Sequence, residues 1–415
     1  MENNDDILHV REVFDRLDDR INIEEAEIDG KKRIVLLHGY KHLFDIEKFV
    51  NAIEKGWLGG FLDETSVYSG RRRLRVLYLG KQYYRKLNTW LERYSDIPRY
   101  SERVTVFYDV CRELGFVATP MNYFGKPQEF DDRYGVRYAD WYNELIQKIS
   151  ERIKSREFKE RERWRRKNAE RNEQNVLAMN EEMYKVRSRW VILMLTLNYK
   201  KEYWRWITLD DIQKHREKFF SARRYNKLMR TIKNYVWTIE QGEKTGFHLH
   251  VILYCSSKHR RDVWLAQQIG EYWANVVTEG KGAYWNSNAR KAFHAWRGHG
   301  IGTGQIDRKD VAKRESLRKN LLYLAKASQY LMIKGTERVR TFDMGRVPER
   351  LKEGRPRKDS VVDVENDGVG RSEGVLQEGA VVREGSANAV KGSASRWCKV
   401  GVPLPFPIEA TVSVA

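Results

Sequence analysis

The stretch Phe247-His248-Leu249-His250-Val251-Ile252-Leu253-Tyr254 places two histidines at alternate positions of an apolar run. Successive side chains of an extended strand point to opposite faces, so His248 and His250 share one face and their apolar neighbours take the other. An apolar strand that presents two imidazoles on one side is typical of a metal-ligand pair. The stretch therefore predicts a buried strand of a sheet, with a candidate metal site on one of its faces.

The sequence on either side of this strand predicts further strands and helices. Residues 190–199 form an apolar run typical of a strand buried on both faces, and residues 235–240 form a second strand. A glycine-bearing turn then predicts a hairpin from that second strand into the histidine strand. Thr208 with Asp211 indicates a capped helix start, and that helix is expected to run to about residue 232. Beyond the histidine strand we expect a helix over about 261–277, a glycine-rich strand over about 300–308 and a helix over about 310–328.

The composition indicates a soluble protein with an anionic partner. The 415 residues include 77 Lys and Arg against 58 Asp and Glu, and the resulting net charge of +19 favours nucleic acid as that partner. The three cysteines are far apart and form neither a disulfide framework nor a paired zinc motif, which favours a reducing cytoplasm. No apolar stretch approaches a membrane span, and the first residues do not form a signal peptide.

Composition divides the chain into four regions. Residues 1–150 alternate short apolar runs (34–37, 74–78 and 104–108) with amphipathic helical patterns, which predicts an accessory domain of mixed class whose role the sequence does not name. Residues 151–185 are dense in charge and predict an exposed helix that acts as a linker. Residues 186–346 hold the strongest signals. Residues 347–415 are rich in Gly, Ser, Val, Glu and Arg and predict a disordered tail.

Glu240 is the candidate third ligand of the metal site. It lies on the strand that pairs, through the hairpin, with the histidine strand. One carboxylate with two imidazoles suits Mg²⁺ or Mn²⁺ and leaves positions open for a phosphate oxygen. The alternative is a carboxylate at a hairpin edge that pairs with one of many cations. Glu243 is a second candidate, although its place in the turn favours exposure to solvent.

A tyrosine and a lysine one helical turn apart, Tyr323 and Lys326, supply the second half of the candidate site. At about 100° per residue, leucines form the packing stripe of their helix. The opposite side carries Lys319, Tyr323, Lys326 and Tyr330. We therefore expect Tyr323 to project onto a polar face where a phosphodiester could meet it. The alternative is an exposed tyrosine on a basic face without a chemical role.

Chemistry gives a reason for these residue types to lie together. A tyrosine hydroxyl has a pKa near 10 and is a poor nucleophile at neutral pH. A metal ion that polarises the scissile phosphate, with a lysine that stabilises the phenolate, makes its attack feasible. Attack by a phenol keeps the bond energy in a phosphotyrosine ester, so the break can be resealed by a free 3′-hydroxyl. Hydrolysis by metal-activated water needs no tyrosine.

Residues 297–305 carry glycine at every second position, which strips one face of side chains. The spacing is not that of a phosphate-binding loop, and we interpret it as a site of close helix packing, with close approach of a nucleic-acid backbone as the alternative. His294 and His299 are possible extra ligands. Isolated histidines in a basic loop are more often in contact with phosphate or solvent.

Taken in order, three motifs resemble those of the HUH endonuclease superfamily, the rolling-circle replication initiators and relaxases. They are the strand that ends Leu195-Thr196-Leu197, then Glu240 with His248-x-His250, then Tyr323-x-x-Lys326. Residues 300–308, 321–326 and 340–342 are more particularly similar to the inovirus-type gene-two replication proteins of filamentous phages and prophages. The resemblance covers about residues 186–346 and does not extend to residues 1–150 or the tail.

The resemblance implies an α+β fold, with a central antiparallel sheet flanked by helices, the histidines on the sheet and the tyrosine on a nearby helix. It implies that His248, His250 and Glu240 bind Mg²⁺ or Mn²⁺, that Tyr323 is the nucleophile and that Lys326 assists it. The implied activity is nicking of one strand at a replication origin, which leaves a 5′-phosphotyrosine and a 3′-hydroxyl primer. Some relatives carry a second tyrosine one turn on. Here that position is Ala327, so a single-tyrosine scheme is favoured, although Tyr330, two turns along the same face, leaves a second-nucleophile role open.

The implied partners are single-stranded and origin DNA in the cytoplasm of a bacterial host, together with a host helicase and polymerase, because no nucleotide-binding motif for a fused helicase is visible. Three alternatives stay open. The same nicking chemistry could serve transposition or plasmid transfer. The chain could be a basic DNA-binding regulator whose histidines are structural. It could also be a metal hydrolase unrelated to DNA, although the charge of +19 disfavours that.

Overall fold

A computed structural model of the chain describes residues 11–13, 15–16, 23–28, 31–36, 40–65, 72–96, 98–117, 123–132, 134–242, 245–258, 261–333 and 339–347. Its strands are β1 (Ile23–Ile28), β2 (Lys31–Leu36), β3 (Phe61–Thr65), β4 (Arg72–Val76), β5 (Pro98–Tyr100), β6 (Arg189–Tyr199), β7 (Ile232–Gly242), β8 (Gly246–Ser256), β9 (Gly282–Asn286), β10 (Gly304–Asp307), β11 (Leu331–Ile333) and β12 (Phe342–Met344). Its α-helices are α1 (Lys41–Glu54), α2 (Tyr78–Tyr83), α3 (Leu87–Glu92), α4 (Glu102–Glu113), α5 (Tyr138–Lys154), α6 (Arg156–Val186), α7 (Leu209–Ser221), α8 (Asp262–Tyr272), α9 (Lys291–Trp296) and α10 (Val311–Tyr330).

A central antiparallel sheet organises the second half of the chain. Its strand order is β10-β6-β8-β7-β12, and β9 also pairs with β6. The short strands β10 and β9 follow each other along one edge of β6, at its beginning and at its end. The histidine strand β8 is therefore central, with β6 and β7 on its two sides. The predicted α+β fold with a mainly antiparallel sheet flanked by helices is confirmed.

Two buried clusters cover the two faces of this sheet. One cluster joins the sheet to apolar residues of α7 and α8. The other joins it to α6, α10 and the helices before residue 155. Because side chains alternate along a strand, Trp237 and Ile239 of β7 face the first cluster while Val236 faces the second. The face that contacts α6 and α10 is hereafter called the α10 face.

Helix α7 begins where the sequence predicts. The side chain of Thr208 accepts a hydrogen bond from the Asp211 amide at 3.2 Å, and the Asp211 carboxylate accepts one from the Thr208 amide at 2.9 Å. This reciprocal pair satisfies two amide groups that the first turn of a helix leaves free. The helix ends at Ser221, earlier than the predicted residue 232, because two short 3₁₀ turns, Ala222–Arg224 and Met229–Thr231, follow it.

The glycine-rich run packs against α10. A β-carbon on Gly302 would lie 2.6 Å from the main-chain nitrogen of Leu317, and one on Gly300 would collide with Ser316. Only Gly304–Asp307 of this run forms a strand. The interpretation as a site of close helix packing is therefore confirmed, and the predicted strand over 300–308 is shorter than expected.

The first half of the chain is mainly helical, with small hairpins β1–β2 and β3–β4. The apolar run 104–108 lies inside α4, not in a strand. Helix α6 contains the charge-dense segment, and one side of its later turns is buried against α10, whereas the sequence predicts an exposed helix. Strand β11, after α10, pairs with β5. The predicted division into domains stays a prediction, and the predicted tail lies outside the described residues from 348 onward.

Candidate active site

The two histidines of β8 lie on the α10 face. Their ring centroids are 6.0 Å apart and their planes differ by 9°, as expected for alternate positions of one strand. His248 is 3% exposed and His250 is 2% exposed. The neighbouring Leu249 and Val251 face the opposite cluster. The predicted alternation along β8 is confirmed.

Strand register brings Glu240 to the histidines. Glu240 is the direct cross-strand partner of His248. Its Oε2 atom lies 3.1 Å from Nε2 of His250, and the Glu240 side chain is buried. The hairpin that connects β7 and β8 thus gathers all three residues that the sequence proposes as metal ligands, although Glu243 in that hairpin lies outside the described residues.

Two threonines flank His250 and were not among the predicted site residues. Thr196 on β6 and Thr238 on β7 are its cross-strand partners. The Thr196 hydroxyl lies 3.0 Å from Nδ1 of His250, which orients the ring so that Nε2 faces Glu240. The Thr238 hydroxyl has no hydrogen-bond partner among the described residues. The signal that could have identified these threonines is their position, because each points to the same face of the sheet as the histidines.

Tyr323 reaches this cluster from α10. Its hydroxyl donates to the Glu240 carboxylate, at 3.1 Å from Oε1 and 3.0 Å from Oε2. The phenol is therefore hydrogen-bonded to a carboxylate that also lies 3.1 Å from Nε2 of His250, although that nitrogen makes no hydrogen bond among the described residues. Tyr323 and the histidine strand are remote in sequence, yet they lie close together in the structure. This proximity is what a shared site requires.

The expectation that Tyr323 projects onto a polar face is wrong. The side chain is 2% exposed and belongs to the same buried cluster as Leu321 and Leu324. Helix α10 lies between the sheet on one side and α6 on the other, so every side chain from Asn320 to Ala325 is buried. A helical projection separates the leucines from the tyrosine, but it does not show that the second side is also covered.

Lys326 lies one turn beyond Tyr323 and pairs with α6. Its Nζ atom is 3.0 Å from Oε2 of Glu173, and both side chains are largely buried. Glu173 belongs to the charge-dense segment that is predicted to be a linker, so nothing in the sequence connects it to the site. Tyr330, the possible second nucleophile, and Ala327 lie in a turn whose side chains are outside the described residues.

A short N-terminal segment covers the outer side of α10 next to Tyr323. Val13 and Arg16 line a small pocket together with Tyr323 and Lys326. Nη1 of Arg16 donates to the side-chain oxygen of Asn320 at 2.7 Å, and Arg16 is 2% exposed. The tyrosine is thus enclosed by the sheet, by its own helix and by the beginning of the chain.

Burial governs the protonation of His248. Loss of hydration, together with the nearby His250, lowers the pKa of His248 to about 3. The ring is therefore neutral at physiological pH, which is the form that binds metal ions. Its Nε2 atom is buried and has no hydrogen-bond partner among the described residues.

The donor chemistry of the cluster suits a divalent cation. It offers a neutral imidazole with an unsatisfied nitrogen, a second imidazole oriented by a threonine, and a carboxylate. Within the described ranges, however, no three His, Cys, Asp or Glu side chains converge in a way that could hold a metal ion. Both oxygens of Glu240 accept the Tyr323 hydroxyl instead.

His294 and His299 lie elsewhere. Both are buried, at 6% and 9% exposure, and they line a small pocket with Met194 and Asn320. The expectation that they contact solvent is therefore wrong, and contact with phosphate stays a prediction. The cysteines Cys111 and Cys255 are buried and free, and Cys398 is outside the described residues. No helix in the described part of the chain combines the length and apolarity that a membrane crossing requires.

Residues 192–327 match the model of a family described as replication-associated protein, of the ORF2 and gene-two protein type. This third of the chain runs from β6 into α10 and includes His248, His250, Glu240, Tyr323 and Lys326. No curated protein and no solved structure shows significant similarity to the chain. The family match supports a replication-associated protein of the phage gene-two type.

Proposed function

We propose that the chain is an HUH-type replication initiator, a nickase that cleaves one DNA strand at an origin with Tyr323 as the nucleophile and starts rolling-circle replication. The observation that carries the proposal is the buried connection from the Tyr323 hydroxyl through Glu240 to His250. A buried hydroxyl needs a hydrogen-bond partner, and the partner of Tyr323 is a carboxylate that also lies against an imidazole of the central strand.

The topology agrees with this proposal. The histidines lie on the central strand of an antiparallel sheet, and the tyrosine comes from a helix packed on that same face. This is the arrangement that the HUH resemblance implies. The matched family, whose description names replication, covers every element that contributes to the cluster.

Glu240 is placed to accept the phenolic proton of Tyr323, because its carboxylate already accepts the hydrogen bond of that hydroxyl. The Tyr323 oxygen then forms a bond to phosphorus while the bond from phosphorus to the 3′-oxygen breaks. The departing 3′-oxygen takes a proton from water and becomes the primer hydroxyl. The products are a 5′-phosphotyrosine ester and a free 3′-end, so the step conserves the ester for later rejoining.

Lys326 lies on the same helix and lines the same small pocket as Tyr323. Its ammonium is held by Glu173 and is the positive charge we assign to the developing phenolate or phosphate. Thr196 is a positioning residue, because it contacts the ring of His250 and not the reacting atoms.

His248, His250 and Glu240 are the residues that would hold Mg²⁺ or Mn²⁺. When bound, the cation would neutralise charge on the scissile phosphate and so favour attack by a phenol. The neutral state of His248 and its unsatisfied nitrogen support this role.

The net charge of +19 supports DNA as the substrate. Host enzymes, a helicase and a polymerase, would supply strand separation and synthesis. Transposition or plasmid transfer would use the same chemistry on another DNA, and mapping the nicked nucleotide on the genetic element that encodes the chain separates these uses.

The test is covalent capture. The full chain is incubated with single-stranded circular DNA of its own element, with Mn²⁺ or with a chelator, and protein-linked DNA is detected after denaturation. We expect a protease-sensitive adduct that requires Mn²⁺ and that disappears in Tyr323→Phe, while DNA binding by that variant stays close to the wild-type level.

Tyr254→Phe is the matched control. It removes another buried phenolic hydroxyl of the same cluster, one that donates to Asn180 at 2.7 Å and not to Glu240. It should keep the adduct. An adduct that survives Tyr323→Phe would overturn the assignment of the nucleophile, and salt-sensitive binding without any adduct would favour the regulator.

A further inference from the structure

The opposite face of the sheet carries a second feature, a basic groove of about 1430 Å³. Helix α7 and the 3₁₀ turns after it form one wall, and the first half of β7 and the segment around β12 form the other. Six arginines line it, namely Arg187, Arg216, Arg223, Arg224, Arg230 and Arg340.

The basic groove is separated from Tyr323 by the sheet itself. Tyr235 and Trp237 of β7 line the groove and pack with the α7 cluster. Glu240 contacts Tyr323 on the α10 face. Because alternate residues of one strand point to opposite faces, the groove is not an extension of the candidate active site.

The groove has a large excess of positive charge. With Lys233 it has seven cationic side chains against two carboxylates, Glu217 and Asp343, and 7 − 2 leaves +5. Glu217 pairs with Arg216 at 2.9 Å and Asp343 pairs with Arg340 at 2.8 Å. Cations gathered at this density repel one another, so the arrangement favours a polyanion that would neutralise them.

Several of these side chains are held in place by main-chain carbonyls, which fix a cation without cancelling its charge. Nε of Arg223 donates to the carbonyl of Ile232 at 3.2 Å, and Nζ of Lys233 donates to that of Arg230 at 2.8 Å. Nη2 of Arg230 donates to the carbonyl of Arg224 at 3.0 Å. The groove is therefore organised before any ligand arrives, which lowers the entropic cost of binding.

Aromatic rings support two of the arginines. The guanidinium of Arg216 lies 4.5 Å from the ring centre of Trp237, and that of Arg223 lies 4.8 Å from the ring centre of Tyr235. Stacking on a ring fixes the orientation of each guanidinium, whose planar, forked shape matches the geometry of a phosphate. Trp237 itself is buried, at 3% exposure, so its ring is not a free surface for a base.

We propose that the basic groove is a second DNA-binding site, which holds the sugar–phosphate backbone without regard to sequence while the nick is made on the other face of the sheet. The choice of DNA over an acidic protein rests on the proposed function. It also rests on arginine, whose forked guanidinium matches phosphate, supplying six of the seven cations. Backbone contacts position a protein on DNA and carry no sequence information.

The test compares two triple variants of the full chain. Arg224, Arg230 and Arg340 are exposed groove residues, and R224Q/R230Q/R340Q removes three positive charges from the groove. Arg163, Arg166 and Lys167 are exposed residues of α6, so R163Q/R166Q/K167Q removes the same charge elsewhere. Binding of a labelled single strand and of a labelled duplex of unrelated sequence is measured by anisotropy over a series of salt concentrations.

We expect the groove variant to lose about 10- to 100-fold in affinity and to lower the slope of log affinity against log salt by roughly 2–3, since each lost phosphate contact removes about one unit. The probe whose slope changes more identifies the form of DNA that the groove holds. The control variant should keep the wild-type slope. Equal changes in the two variants would overturn the proposal, as would an excess of polyglutamate that displaces the strand more effectively than unlabelled DNA.

R224Q alone should lower the slope by roughly 1, which keeps the test decisive if the triple variant folds poorly. Adduct formation and the salt slope together distinguish failure of this proposal from failure of the proposed function. The groove variant should still form the Tyr323 adduct on a short oligonucleotide at saturating concentration, and Tyr323→Phe should keep the full salt slope. A groove variant that loses the adduct at saturating DNA, with wild-type salt dependence, would contradict a separate site.

Discussion

The hydroxyl of Tyr323 donates to both carboxylate oxygens of Glu240, a residue 83 positions earlier in the chain, at 3.1 and 3.0 Å. The phenol is the donor, and the two carboxylate oxygens are the acceptors. Both groups are buried, at 2% and 5% exposure. The contact fastens α10 to the hairpin of β7 and β8 and gives Tyr323 its proton acceptor in the proposed reaction.

Glu240→Gln should slow adduct formation by about 100-fold or more, because a neutral amide accepts the phenolic proton poorly. The hydrogen bond to a neutral acceptor is also weaker, so we expect a loss of about 1 kcal/mol in the free energy of unfolding. Adduct yield over time and urea denaturation measure the two effects. Glu271→Gln, a carboxylate on α8, should change neither, and a wild-type rate in Glu240→Gln would exclude Glu240 as the proton acceptor.

Substitutions of Lys326 and of Glu173, which form an ion pair, should have different effects on the rate of adduct formation. Lys326→Gln removes the positive charge and should slow adduct formation by roughly 100-fold, in the range of single electrostatic groups in active sites. Glu173→Gln keeps the charge and removes only its partner 3.0 Å away, so the rate should stay close to the wild-type rate. Rapid-quench kinetics at saturating DNA make the comparison. Equal losses in both variants would show that the pair acts only by holding α10 against α6.

Thr196 and Thr238 give a matched pair on either side of His250. Thr196→Val removes the hydroxyl that contacts Nδ1 of His250, and we expect Mn²⁺ affinity to fall by about 10- to 100-fold, as for other supporting contacts of metal-binding histidines. Thr238→Val removes a hydroxyl that has no hydrogen-bond partner in the described chain and should leave the affinity unchanged. Calorimetric titration with Mn²⁺ measures both. Similar affinities in the two variants would remove Thr196 from the site.

Gly302→Ala should destabilise the protein by about 1–3 kcal/mol, because the added methyl group would lie 2.6 Å from the main-chain nitrogen of Leu317 and force α10 away from its position. Ile301→Ala, at a neighbouring exposed position, should cost less than about 0.5 kcal/mol. Thermal unfolding gives the stabilities. If Gly302→Ala is as stable as wild type, the packing of this run on α10 is looser than the structure has it.

His248 should make stability depend on pH. Its pKa is lowered from 6.5 to about 3 by burial, so the unfolded chain binds the proton more readily than the folded protein. This contribution to stability is present in full above pH 6.5 and is lost as the pH falls from there toward 3, at up to about 1.4 kcal/mol per pH unit. Denaturation at pH 7 and at pH 5 measures the free energy of unfolding, which should fall more for the wild type than for His248→Leu. Equal decreases in the two proteins would mean that His248 is hydrated in the folded protein.

The fold of the second half of the chain follows from its sequence because the local patterns are strong. Alternation fixes the face of His248 and His250, and the capping pair of Thr208 and Asp211 fixes the start of α7. The exposure of Tyr323 does not follow, because helical periodicity cannot show that α6 covers the second side of α10.

Partners remote in sequence are also beyond local patterns. Glu173 meets Lys326 only after α6 has packed on α10, and Arg16 reaches Asn320 across most of the chain. The arginines of the basic groove are scattered from position 187 to position 340, so composition reports their charge but not their assembly. Thr196 belongs to the Leu195-Thr196-Leu197 motif, yet its contact with His250 depends on strand register.

The enclosure of Tyr323 has a consequence for the timing of the reaction. In the proposed reaction a phosphodiester must reach the hydroxyl of a residue that is only 2% exposed, so local opening would precede cleavage, and the fraction of open molecules would scale the observed rate. The hydrogen bond from Arg16 to Asn320 stabilises the closed form against this opening. In the proposed reaction, DNA that stabilises the open form would therefore raise the rate of nicking, and the chain would be inactive without it.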